Sequence, residues 1–166
     1  MNIRKLVITS FMAASLFVVQ IAKAFALPFL PNVEFVSLLV LLYAVTFDRI
    51  QTLAAIYVFA LLEGVIYGFG IWWFSYLYVW LILAAVAWLC RKNDSVILWA
   101  IIAGVFGLLF GALTAIPYLF AGGFFTAFSY WISGISFDLI HCVSNFLIVL
   151  LLFKPLHSFL KRLEHS

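Results

Sequence analysis

From about Phe124 to Phe153 the chain is almost wholly apolar, yet Asp138, His141 and Asn145 interrupt it at i, i+3 and i+7. A run of that length suits a helix crossing a bilayer, which needs about 20 apolar residues. On such a helix the three side chains share one stripe. A carboxylate near mid-bilayer costs roughly 3 kcal/mol on insertion scales, so the stripe must meet protein, water or a ligand rather than lipid. The chain is therefore expected to pack helices around an inward polar seam.

Composition extends this reading to the whole chain. Of 166 residues, 68% are hydrophobic and 9% charged, whereas a soluble domain carries about 25% charged residues. The expected class is an all-α integral membrane protein, a six-transmembrane-helix bundle forming one domain. Its helices are placed at about 5–25, 33–47, 51–69, 75–90, 95–120 and 126–153. No length remains for a soluble catalytic or nucleotide-binding domain, and no Gly-rich phosphate loop occurs. The basic residues flank apolar segments. Arg4-Lys5, Arg49, Arg91-Lys92 and Lys154, Lys161, Arg162 all fall on one side of a six-span arrangement, which puts both termini in the cytoplasm by the positive-inside rule. They serve as topology signals and not as a nucleic-acid surface. Cys90 and Cys142 lack metal-ligand spacing, so no metal site is expected. Arg4-Lys5, the apolar stretch to Ile21 and Ala24-Phe25-Ala26 have the outline of a signal peptide. Gln20 and Lys23 interrupt it, and the segment is expected to stay as the first helix.

Several positions invite a functional reading beside a structural one. Ser10, Ala13 and Ala14 give the first helix small side chains, suited either to packing inside the bundle or to docking a partner in the membrane. Asn32 follows Pro28 and Pro31 as a cap for the second helix, with Glu34 in its first turn. Glu63, flanked by Gly64, Gly68 and Gly70, either meets a ligand or locks helices together. Between Trp72 and Trp80 the aromatics are dense. They form an interfacial belt, or Trp73, Tyr76 and Trp80 line a pocket for a ring-containing solute. Gly107-x-x-x-Gly111-x-x-x-Ala115 makes a smooth ridge for a neighbouring helix. Thr114, Tyr118 and Trp131 join Glu63, Tyr76 and Trp80 in the outer half, so any pocket opens outward. By rise per residue Asp138 lies about 18 Å below the outer end of its helix. The Asp138, His141, Asn145 stripe then reads chiefly as a structural lock, with Asp138 as a candidate pocket floor.

Three activities compete. A membrane enzyme wants clustered nucleophiles, acids or metal ligands, and no such motif appears. A stand-alone secondary transporter of this length needs a dimer. A solute-binding subunit fits the features best. The six apolar segments, Ser10-Phe11-Met12-Ala13-Ala14, Leu30-Pro31-Asn32-Val33-Glu34-Phe35 and Gly134-Ile135-Ser136-Phe137-Asp138-Leu139-Ile140-His141 with Asn145-Phe146 together resemble the substrate-binding S component of energy-coupling factor (ECF) vitamin transporters.

That resemblance implies a non-enzymatic subunit of the cell membrane that captures a vitamin or precursor and topples when docked. Its partners would be a transmembrane coupling subunit, the T component, and two cytoplasmic ATPases that use ATP and Mg; this chain would carry no cofactor. Ser10, Ala13 and Ala14 would couple to the partner. Asn32, Trp73, Tyr76, Trp80, Tyr118 and Trp131 would hold the solute. Glycines around the mouth leave room for a bulky solute, which makes a cobalamin-type substrate the expectation. A hydroxymethylpyrimidine or pyridoxine-like ring is the alternative. Scarce outer Lys and Arg argue against a phosphate-held ligand.

Overall fold

The computed structural model describes residues 3–26 and 33–165. In chain order these form α1 (Ile3–Ala26), α2 (Val36–Thr46), α3 (Arg49–Tyr67), α4 (Ile71–Tyr76), α5 (Val79–Cys90) and α6 (Val96–His165). Among the described residues four stretches are long and apolar enough to cross a bilayer: Ile3–Lys23, Arg49–Tyr67, Ile71–Cys90 and Val96–Glu164. Their outer faces carry exposed Val65, Leu89, Phe125 and Leu151 among many other large apolar side chains. Surface of that kind is stable only under lipid. The chain is a multi-pass integral membrane protein.

The expected bundle of six transmembrane helices is not what forms. The segment placed at 33–47 shrinks to the 11 residues of α2, about 16 Å of helix against a hydrocarbon core of about 30 Å. Nor does α2 face lipid. Val36, Leu38, Val40, Leu41, Leu42 and Ala44 are all buried, because the helix is apolar all round and packs against α6, α5, α1 and α3. The segment placed at 75–90 starts earlier and breaks at Leu77 and Tyr78, between α4 and α5. The two helices placed at 95–120 and 126–153 do form, as the two arms of α6 on either side of the kink at the non-helical Gly123. Gly123 has φ 77°, a conformation open to glycine and strained for residues with a Cβ. There the chain turns back, and the arms 96–122 and 124–165 pack on each other. The second arm also runs through Pro155 to His165 instead of stopping near 153.

The described ends of α1 and α6 meet. Arg4 Nη2 donates to the carbonyls of Leu163 at 3.2 Å and Glu164 at 2.6 Å. At the same end Lys5 Nζ pairs with Asp48 Oδ2 at 2.6 Å, while Asp48 Oδ1 caps α3 by accepting from Gln51 N–H at 2.9 Å. The hydrogen bond from Lys5 holds the Asp48 carboxyl below its ordinary range. A depressed carboxyl stabilises the fold at pH values above its unfolded pKa and loses that contribution as pH falls through the folded value. Asp48→Asn keeps a capping side chain but loses the charge pair. With Lys5 and Asp48 half to two-fifths exposed, the expected loss at neutral pH is about 0.5 kcal/mol. Denaturation curves of the two proteins should converge only below about pH 4; a constant gap down to the acid limit is the contrary result.

Candidate functional site

Because α2 ends beside the basic Lys5–Asp48 end and is about 16 Å long, its start lies near mid-bilayer. Glu34 precedes it there and is 7% exposed. It does the work of a helix cap: Ser37 N–H donates to Oε2 at 3.0 Å and Ser37 Oγ to Oε1 at 2.5 Å. The same Oε1 lies 3.0 Å from His141 Nε2 on the second arm of α6. A carboxylate only accepts, which assigns the proton of this contact to Nε2. Asn145 Nδ2, one turn further, donates to Ser37 Oγ at 3.1 Å and to Ala103 O at 3.4 Å on the first arm. Asp138 Oδ1, one turn back, accepts from Gly111 N–H at 2.9 Å. Glycine exposes that amide on the arm's face, where a Cβ would strike the Asp138 carboxylate. The stripe thus ties three pieces of chain together, the start of α2 and both arms of α6.

Next to this network stands an aromatic wall. Phe110 bridges the two, with its ring 4.9 Å from His141 and 5.7 Å from Trp80. Trp80 packs edge-on to Tyr76 at 5.7 Å, and Phe59 of α3 contacts both. Glu63 lies one turn beyond Phe59 and is 2% exposed. Trp73 Nε1 donates to Ala60 O at 2.8 Å, closing α4 onto α3. The Tyr76 ring packs against Trp72 at 5.2 Å, Trp80 at 5.7 Å and Phe59 at 6.0 Å, where α4 and α5 meet α3. Among the described residues the stripe and the aromatic wall hold five buried polar atoms without a partner: Glu63 Oε1, Trp80 Nε1, Asp138 Oδ2, His141 Nδ1 and Asn145 Oδ1. These are carboxyl and amide oxygens, an indole N–H and an imidazole nitrogen, buried beside packed aromatic rings.

The residues singled out from the sequence divide accordingly. Glu63, Trp73, Tyr76 and Trp80 gather at this junction with Asp138 and His141. Thr114 is buried one turn from Gly111, but its hydroxyl is engaged by the carbonyls of Phe110 and Gly111. Tyr118 stacks on Tyr130 at 4.3 Å. Trp131 is 36% exposed and lines a separate apolar groove with Ala115, Leu119 and Phe128. Asn32 lies outside the described residues. On α1, Ser10 and Ala14 face outward while Ala13 is 2% exposed in the core, so the small-residue trio does not share one face. Among the described residues no three His, Cys, Asp or Glu side chains gather as a metal site.

Glu34 is the main residue that sequence reasoning undervalued. As a first-turn carboxylate it was explained by the helix dipole alone, yet its position three residues before Ser37, in a segment with no Lys or Arg from Ala24 to Asp48, already posed the question of its partner. Tyr130 and Phe110 carried no distinguishing signal among 19 Phe and 7 Tyr. Comparison of the chain with family models, with curated proteins and with solved structures finds no match.

Proposed function

We propose that the chain is the solute-binding membrane subunit of an ECF-type importer, as the sequence resemblance suggests. It takes a small ring-containing vitamin or precursor and works with a transmembrane coupling subunit and two ATPases. ATP hydrolysis belongs to those partners, and this chain carries no catalysis of its own. The observation that supports the reading is the run of aromatic rings Tyr76, Trp80 and Phe110 leading to His141, with Trp80 Nε1 and His141 Nδ1 unpartnered among the described residues. Binding sites combine an apolar aromatic lining with a few placed polar groups in this way. Exposed Ser10 and Ala14 supply the small surface that the partner would contact.

Purified protein without partners is expected to gain thermal stability from one water-soluble vitamin or precursor in a screen, since a ligand that binds only the folded state must stabilise it. Trp80→Ala should weaken that ligand by about thirtyfold, the loss of about 2 kcal/mol that a buried aromatic anchor typically supplies. Ala14→Trp should leave binding intact and abolish uptake by the assembled complex. Sustained uptake by this chain alone in liposomes is the result that replaces the reading with a dimeric secondary carrier.

A further inference from the structure

The turn between α5 and α6 and the last turns of α6 border a cavity of about 310 Å³, apart from both the aromatic wall and the polar stripe. It lies at the end of the bundle where Arg4 meets the carbonyls of Leu163 and Glu164 and where the Arg49 guanidinium stands 5.3 Å over the Trp88 ring. That is the basic end, which the positive-inside rule puts at the cytoplasmic leaflet. Lys154, His157, Ser158 and Lys161 recur at i, i+3, i+4 and i+7, so one face of the second arm turns all four toward the cavity. Asp94 lines it from the turn, and the stacked rings of Trp99 and Phe153, 5.3 Å apart, form its apolar side. Both lysines are exposed, and neither forms an ion pair among the described residues. Two ammonium groups against one carboxylate make a lining for an anion.

We propose that this cavity binds the phosphodiester headgroup of an anionic phospholipid such as phosphatidylglycerol. Two lysines with one carboxylate balance a single negative charge, which is what a phosphodiester carries. A phosphate monoester approaches two charges at neutral pH and sets the second against Asp94. Lys154 and Lys161 donate to the phosphate oxygens in charge-assisted bonds, and Asp94 accepts from a hydroxyl of the headgroup. The same helix face says where the acyl chains go. Leu147 and Leu151 stand on it, seven and three residues before Lys154, and are 48% and 70% exposed. Apolar surface for a chain thus leads straight to the headgroup cavity, and a soluble phosphate has no use for it. Basic pockets on the cytoplasmic side of membrane helices recognise acidic headgroups in this manner.

The test is thermal unfolding of the purified full chain in nonionic detergent, titrated with dihexanoyl phosphatidylglycerol, dihexanoyl phosphatidylcholine, glycerol phosphate and inorganic phosphate. A ligand that binds only the folded state raises the midpoint. The expected result is saturable stabilisation by phosphatidylglycerol, at concentrations about tenfold or more below those needed of the other three. Lys154→Gln and Lys161→Gln each weaken it by about 10- to 100-fold, the range for hydrogen bonds to a charged group. Arg162→Gln removes the same charge beside the cavity but not from its lining, and weakens it by about fivefold at most, through the surface field alone. All three side chains are exposed, so the variants are expected to fold. Equal stabilisation by phosphatidylcholine overturns the proposal, because a headgroup without net charge then serves as well. Equal stabilisation by glycerol phosphate or inorganic phosphate overturns the lipid as occupant and assigns the cavity to a soluble phosphate. Equal losses in Lys161→Gln and Arg162→Gln reduce the effect to diffuse attraction and overturn it too, as does an unchanged midpoint with phosphatidylglycerol.

Discussion

Gly107→Ala is expected to destabilise the protein by about 2–3 kcal/mol, the upper range for overpacking a filled core. A Cβ at this position would lie 2.7 Å from the carbonyl carbon and oxygen of His141. Those are backbone atoms of the opposing arm of α6, so no rotamer change relieves the clash. The arms must separate, and separation stretches the Gly111–Asp138 and Asn145–Ala103 hydrogen bonds on either side of the contact. Two further substitutions calibrate the effect. At Gly104 the nearest atoms to a Cβ are 3.3 Å away on Cys142 O and 3.4 Å away on Phe146 Cβ, so alanine there should cost less than about 1 kcal/mol. At Gly134 nothing lies within 4 Å, and alanine should be neutral or stabilise by up to about 1 kcal/mol through helix propensity. Thermal unfolding in detergent, followed by tryptophan fluorescence, ranks the three. Equal midpoints for Gly107→Ala and Gly134→Ala would show that the arms do not pack as described.

This contact also shows what a sequence discloses and what it withholds. The Gly107, Gly111, Ala115 ridge was legible because small residues recur at four-residue spacing on a helix. Its partner was not, since nothing local to Gly107 names His141. The Asp138, His141, Asn145 stripe was likewise legible from helical periodicity, though not the partners it meets at Gly111, Glu34, Ser37 and Ala103. That Glu34 completes it depends on α2 being too short to span, so that its start reaches mid-bilayer. Hydropathy could not reveal this. A helix apolar on all sides reads the same whether lipid or other helices cover it, and α2 was therefore taken for a sixth span. Trp131 was misplaced for a related reason: on an arm with apolar residues all round, sequence does not say which face turns inward. Tyr76 and Trp80 share a helical face by their spacing, and both rings pack against Phe59 of α3, one turn before Glu63.

Removing Glu34 is expected to have the other large effect. In Glu34→Ala, His141 Nε2 loses its acceptor at 3.0 Å and Ser37 N–H and Oγ lose theirs, while all of these groups stay buried. Breaking one side of a buried ionisable pair typically costs 3–5 kcal/mol, mostly as desolvation of what is left behind. Glu34→Gln should cost only about 1 kcal/mol, because an amide oxygen still accepts from Nε2 and from Ser37. His141→Ala strands the Glu34 carboxylate in turn. The double variant Glu34→Ala, His141→Ala should then be more stable than the sum of the single losses predicts, by about 2 kcal/mol, since residues in one network couple by about 0.5–3 kcal/mol. Chemical denaturation of the four proteins in detergent measures that coupling. Strict additivity would mean that the start of α2 and the second arm of α6 are held by apolar packing alone. A positive coupling makes this polar contact the tie between α2 and the helix that carries Asp138. Asp138 and the start of α2 would then move as one body through the second arm of α6.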